Sequence, residues 1–178
     1  PKGSDPVCYE VDMAPTLNVK KKALEKSGIP HSHVTFVETD FNQETWLDAL
    51  LASEFDSGKT TYILWEGVTM YLTDEAINAT LELFSGLPSG SIIGADFFTE
   101  DVVKGNPPHE AWSKRMHSSI KYYSEKIMFG IPTGTSLSEG SEKLAAKHGL
   151  ALTKFDNLGD RNDKKKVPWY VFTEMTKT

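Results

Sequence analysis

Residues 62–72 read Tyr62-Ile63-Leu64-Trp65-Glu66-Gly67-Val68-Thr69-Met70-Tyr71-Leu72. The first four are an apolar run of the kind that favours a strand. The run stops on a carboxylate with a glycine directly behind it, and a short apolar segment ending in Tyr71-Leu72 follows. In open α/β sheets, ligands bind at the carboxyl ends of the parallel strands. An acid in that place makes Glu66 a candidate site residue, provided the rest of the chain supplies a sheet.

Upstream, Val7-Cys8-Tyr9-Glu10-Val11 alternates apolar and polar residues, and Asp12 closes it. A helix fits Pro15 to Ser27, with proline in its first turn and Gly28 just past its end. Val34 to Val37 reads as a second strand, ending at Glu38-Thr39-Asp40. Gln43 to Ser53 has helical spacing, with Trp46, Leu47, Leu50 and Leu51 on one face. Downstream, Thr73 is placed to cap a helix whose Ile77, Leu81 and Phe84 recur at i, i+4 and i+7. Leu87 to Gly90 is a turn, and Ser91 to Phe98 reads as a fourth strand.

Beyond Thr99 the segment to Phe129 is polar with scattered aromatics. It reads as a helical, lid-like insertion at about 100–135. Ser138 to His148 fits a further helix, and Leu150–Leu158 and Trp169–Met175 fit two strands joined by the charged loop Gly159–Pro168. No helix-length crossover separates these last strands, so they pair as an antiparallel hairpin. Strands alternating with helices predict an α/β fold: a Rossmann-like, doubly wound, mostly parallel sheet with helices on both faces and a C-terminal antiparallel hairpin. Residues 1–178 are read as a single domain.

The totals agree. The chain is 39% hydrophobic and 25% charged, ordinary for a soluble globular protein. A net charge of -6 argues against a general nucleic-acid binder, which would show a basic face. No apolar run approaches the roughly 20 residues of a membrane helix. Cys8 is the single cysteine, so there is no internal disulfide and no cysteine-based zinc site, and a reducing, cytoplasmic setting is expected. The sequence opens on Pro1-Lys2-Gly3-Ser4-Asp5-Pro6, a loop-like stretch, and is read as a piece of a longer protein.

Three successive predicted strands finish in acids, Asp12, Asp40 and Glu66, at the edge of the sheet where a nucleoside cofactor lies in a doubly wound fold. In such a fold one strand-end acid accepts hydrogen bonds from ribose hydroxyls, its two oxygens meeting two donors. The next acid meets the adenine amino group, with Phe41 placed against the ring. A third faces the other end of the cofactor, where a positive amino group wants a partner. Ribose, adenine and an ammonium together describe S-adenosylmethionine, and no phosphate-binding basic residue stands nearby. Any one of these acids, taken alone, is more readily read as a turn former or helix cap. Three in register favour a site.

The segments YEVDMAPTLNVKK (Tyr9–Lys21), VETDF (Val37–Phe41) and WEGVTMYLTDEA (Trp65–Ala76) closely resemble the leucine carboxyl methyltransferase family. The likeness runs from Val7 to about Phe98, and WEGVTMYL is its most specific element. The resemblance implies a class I S-adenosylmethionine-dependent O-methyltransferase acting on a carboxylate or hydroxyl of a small molecule or peptide. It further implies that Asp12 binds the ribose with Glu10 next in line, and that Asp40 and Phe41 contact adenine. Glu66 would stand by the methionine moiety, with Gly67 allowing close backbone approach, and Tyr71 would face the active site. The family's glycine-rich GxGxD loop and the strand before it do not occur upstream of Val7. In that fold the missing strand lies between those ending at Asp12 and Glu66, so a partner or a missing N-terminal segment is expected to complete the sheet. The alternative is a non-catalytic or partner-dependent remnant of the same fold. A nicotinamide dehydrogenase is disfavoured, because no catalytic Tyr-Lys or His-centred set stands out.

Other features have plainer readings. Arg115, His117, Tyr122 and Tyr123 in the insertion could meet substrate or simply form a polar helix surface. His31 and His33 lack an evident third ligand for a metal. Lys164-Lys165-Lys166 reads as a solvated turn, and Gly130 to Gly134 as a hinge.

Overall fold

The computed structural model describes residues 6–41, 43–120, 126–134, 136–159 and 167–178. Its contacts divide the chain into two compact units, Pro1–Ser57 and Gly58–Thr178. Tyr122, Tyr123 and Lys164 to Lys166 lie outside the described residues.

The first unit runs β1 (Cys8–Asp12), α1 (Ala14–Lys26), β2 (Val34–Glu38) and α2 (Trp46–Leu51). β1 and β2 pair in parallel, Cys8 opposite Val34 and Asp12 opposite Glu38, as the strand–helix–strand reading requires. Pro15 sits in the first turn of α1, and Gly28 stops the chain beyond it at φ 66°. The core is small: Val37, Ala49 and Leu50, with Tyr9, Val11, Trp46 and Phe55 packed against them. α2 starts later than its periodicity predicts. The Gln43 and Glu44 N–H groups both donate to the Asp40 carbonyl, closing a turn, and the helix begins only where Thr45 caps it by accepting from the Asp48 N–H.

The second unit holds β3 (Tyr62–Trp65), α3 (Asp74–Ser85), β4 (Ile92–Phe98), α4 (Glu100–Lys104), α5 (Glu110–Ile120), α6 (Leu137–Lys147), β5 (Leu150–Leu158) and β6 (Tyr170–Lys177). Its sheet has the order β3-β4-β6-β5. β3 and β4 are parallel, Trp65 opposite Ala95, and β6 runs antiparallel to both β4 and β5. The expected closing hairpin is therefore present, with its second strand inside the sheet. Alternation along β4 and β6 sends Ile93, Phe97, Val171 and Met175 into the core, where Ile77, Leu81 and Phe84 of α3 are also fully buried.

The opposite face of this sheet is open. Tyr62 and Leu64 are 57% and 67% exposed, and with Phe172 they border a trough of about 730 Å³ that crosses the sheet. Helices on both faces were expected. In this unit the described helices leave that face uncovered, although parallel strands are ordinarily buried on both sides. Among the described residues β1 is paired only by β2, and β3 only by β4, so each keeps one open edge.

The insertion is helical where described. α4 ends at Gly105, whose φ of 68° reverses the chain, and α5 is tied back to α4 by the His117 ring at 3.1 Å from the Val103 carbonyl. Trp112 of α5 joins Phe98, Trp169 and Tyr170 in edge-on and tilted ring pairs. The Gly130–Gly134 stretch is pinned at its start rather than hinged. Ile131 N–H donates to the Phe98 carbonyl at 2.8 Å, and the Glu100 N–H donates to the Ile131 carbonyl at 2.9 Å. A Cβ on Gly130 would lie 2.8 Å from main-chain atoms of Thr99 and Glu100. No described helix is long and apolar enough to cross a membrane.

Candidate functional site

In the first unit both strands run toward their acids, because parallel pairing puts the ends of β1 and β2 side by side. Asp12 Oδ1 accepts from the Met13 N–H at 2.7 Å, while its carbonyl accepts from the Thr39 N–H at 3.1 Å. The first of these bonds is a local contact with the next residue's N–H. Asp40 Oδ2 accepts from the Gln43 amide at 3.0 Å. Phe41, next to it, is 52% exposed, leaving its ring available to a flat partner. Glu10 is engaged by the Lys20 ammonium at 2.6 Å, a contact that fastens β1 to α1. Asp12, Asp40 and Phe41 are thus brought to one edge, and Glu10 is held within the strand.

In the second unit Glu66 is exposed at the end of β3. Gly67 follows at φ 72°, a conformation that costs a residue with a Cβ roughly 1–2 kcal/mol. A Cβ there would meet nothing within 4 Å, so the glycine answers the turn's geometry and not a crowded site within the chain. Tyr71 ends a short 3-10 turn, Thr69–Tyr71, and packs against the cluster of Met70, Phe98, Val102 and Ile127.

Sequence reasoning passed over the residue that organises this corner. Asp96, buried at 4% exposure on β4, accepts from the Gly67 N–H at both oxygens, 3.0 and 3.1 Å away. The Tyr170 hydroxyl donates to Oδ2 at 2.5 Å, and the Thr69 hydroxyl donates to the Asp96 carbonyl. Burial, and then the bond and charge of Asp96, push the Tyr170 phenol well above its ordinary range. The signal in the sequence was an acid inside the otherwise apolar run Ile92–Phe98, one position beyond the partner of Trp65. Among the described residues no group of three His, Cys, Asp or Glu could hold a metal ion.

In the first unit, paired acids on parallel strand ends with an exposed ring beside one of them suit a nucleoside; in the second, an exposed glutamate follows a strand. The fold is similar to that of solved S-adenosylmethionine-dependent methyltransferases. A DUF574-family protein from Streptomyces avermitilis superposes with a TM-score of 0.59 at 17% identity, over 96% of this chain and 64% of its own. Magnesium protoporphyrin IX methyltransferase from Synechocystis, solved with bound SAH, gives 0.54 at 12%, with the same coverage.

Residues 2–85 match the family model for leucine carboxyl methyltransferase. A Bacillus subtilis protein named "Putative S-adenosyl-L-methionine-dependent methyltransferase YktD" is 38% identical over 159 residues, 87% of this chain and 49% of its own length. A Mycobacterium tuberculosis protein with the same kind of name is 30% identical over 110 residues, 61% of this chain and 34% of its own. The chain thus spans half or less of these relatives.

Proposed function

We propose that this chain is part of an S-adenosylmethionine-dependent O-methyltransferase domain that methylates a carboxylate or hydroxyl of a small molecule or peptide in the cytoplasm. The observation that carries this reading is the placement of Asp12 and Asp40 at the ends of the parallel strands of the first unit, beside the exposed Phe41 ring. The matched family and relatives support it.

The residues suit the cofactor. Asp12 would accept from the ribose hydroxyls, with Glu10 and its Lys20 partner steadying the strand behind it. Asp40 would accept from the adenine amino group, and the Phe41 ring would lie on the base. Glu66 would meet the ammonium of the methionine end, presented by the Gly67 turn. When bound, the cofactor supplies a methyl group already activated on a sulfonium. The chain therefore needs to orient and dehydrate an acceptor oxygen rather than provide a strong base. Tyr71, half-buried on the Met70 cluster, is the residue assigned to the acceptor side. A strand from a preceding segment or a partner would complete the sheet, satisfying ladder groups that are otherwise unpaired.

The test is calorimetric titration of S-adenosylmethionine into the full-length protein and its Asp12→Ala variant. Removing a hydrogen bond to a charged group should weaken binding by about 1–3 kcal/mol. Equal affinity in the two would refute the ribose assignment. A folded parent that binds no cofactor would leave the non-catalytic reading in its place.

A further inference from the structure

We infer that Asp96 is the positioning residue of this site: it fixes the Glu66-Gly67 turn and so sets the glutamate that receives the cofactor's amino-acid end. The inference rests on the function proposed above, and its own evidence is geometric. A buried carboxylate is costly unless it is well satisfied. The donors that reach this one are the Gly67 N–H and the Tyr170 hydroxyl, both neutral. An apolar residue at this place in β4 would avoid that cost but would leave the Gly67 N–H and the Tyr170 hydroxyl without this acceptor.

What the acid accomplishes is local. Glu66 and Gly67 leave the β3–β4 ladder just past the Trp65–Ala95 pair. Gly67 adopts φ 72°, and the strand's own hydrogen bonds no longer hold the chain. At that point the Asp96 side chain takes the Gly67 N–H, and its main-chain carbonyl takes the Thr69 hydroxyl. The turn is thereby clamped on both sides of Val68 to one residue of the neighbouring strand. Tyr170, from β6 on the other flank of β4, locks the carboxylate from behind. Glu66 and Asp96 both line the same end of the open trough, so the clamp and the group it aims share one wall.

A positioning role makes a prediction that a merely structural one does not. S-adenosylhomocysteine and methylthioadenosine share the nucleoside and the thioether sulfur, and they differ in the amino-acid end. Loss of the clamp should therefore reduce affinity for the first and spare the second. Both would be titrated into the full-length parent and into Asp96→Ala, Asp96→Asn, Glu66→Gln and the Asp96→Ala/Glu66→Gln double variant. The ratio of the two affinities should fall about tenfold to a hundredfold in Asp96→Ala, the range for losing a hydrogen bond to a charged group. Asp96→Asn keeps one acceptor for the Gly67 N–H and should fall in between. The double variant should lose no more than Glu66→Gln alone, because residues acting through one group are not additive.

If Asp96→Ala does not fold, the asparagine variant carries the comparison. A folded Asp96 variant with the parent's ratio, or additive losses in the double variant, would overturn the inference while leaving cofactor binding intact. A folded parent that binds neither compound would overturn the functional proposal and this inference with it.

Discussion

Gly67→Ala isolates the backbone cost of the turn that presents Glu66. The glycine has φ 72°, and an added Cβ would meet nothing within 4 Å, so no steric clash enters. The Gly67 N–H survives the change, so its bonds to Asp96 at 3.0 and 3.1 Å need not be lost. What remains is the left-handed conformation, roughly 1–2 kcal/mol for an ordinary L-residue. Asparagine tolerates that region better, so Gly67→Asn should cost about half as much. Because the chain has two compact units, a single melting curve mixes their transitions. Native-state hydrogen exchange at Ile93 and Phe97, fully buried on β4, reads the second unit directly. A loss of 3 kcal/mol or more (about double the expectation) would mean that packing or the Asp96 contact is disturbed. Asparagine as costly as alanine would refute the argument from φ.

Three further outcomes follow from the same geometry. Gly130→Ala should destabilise the second unit by about 2–3 kcal/mol or prevent its folding, since the new Cβ meets main chain that cannot swing aside at 2.8 Å; a neutral effect by denaturant titration would show that the Thr99–Ile131 contact is soft. The Tyr170 phenol is held protonated by burial and by Asp96, so its contribution to stability is fully present below the ordinary tyrosine range and lost as pH rises through and beyond it. Tyr170→Phe should flatten that alkaline limb of the stability profile, and an unchanged limb would refute the assignment. Tyr71→Phe should lower turnover by more than it lowers cofactor affinity, and an unaltered kcat would move the acceptor away from Tyr71.

Much of the fold is legible in the sequence because its signals are local. Proline in the first turn and glycine past the end bracket α1, and Ile77, Leu81 and Phe84 mark the buried stripe of α3. The short crossover between Leu158 and Tyr170 leaves antiparallel pairing as the simple solution. The start of α2 was misplaced because periodicity carries no information about which carbonyl takes the Gln43 and Glu44 N–H groups. The hinge reading of Gly130 failed for a related reason: a glycine required by close approach looks the same in sequence as one that confers freedom. The strand-end acids were readable from register alone. Asp96 was not, because its partners Gly67 and Tyr170 lie 29 and 74 positions away and only the folded sheet brings them to it. The open sheet face, too, depends on what helices the rest of the molecule supplies, which no local pattern states.

The most direct test is a calorimetric titration of S-adenosylmethionine into the folded full-length protein, with the 178-residue chain titrated in parallel. The account predicts saturable one-to-one binding by the full-length protein, weakened by Asp12→Ala and by Glu66→Gln. If the 178-residue chain also binds, the strand-end acids suffice without a completed sheet. A folded full-length protein that binds neither S-adenosylmethionine nor S-adenosylhomocysteine would contradict the claim that these acids form a cofactor site.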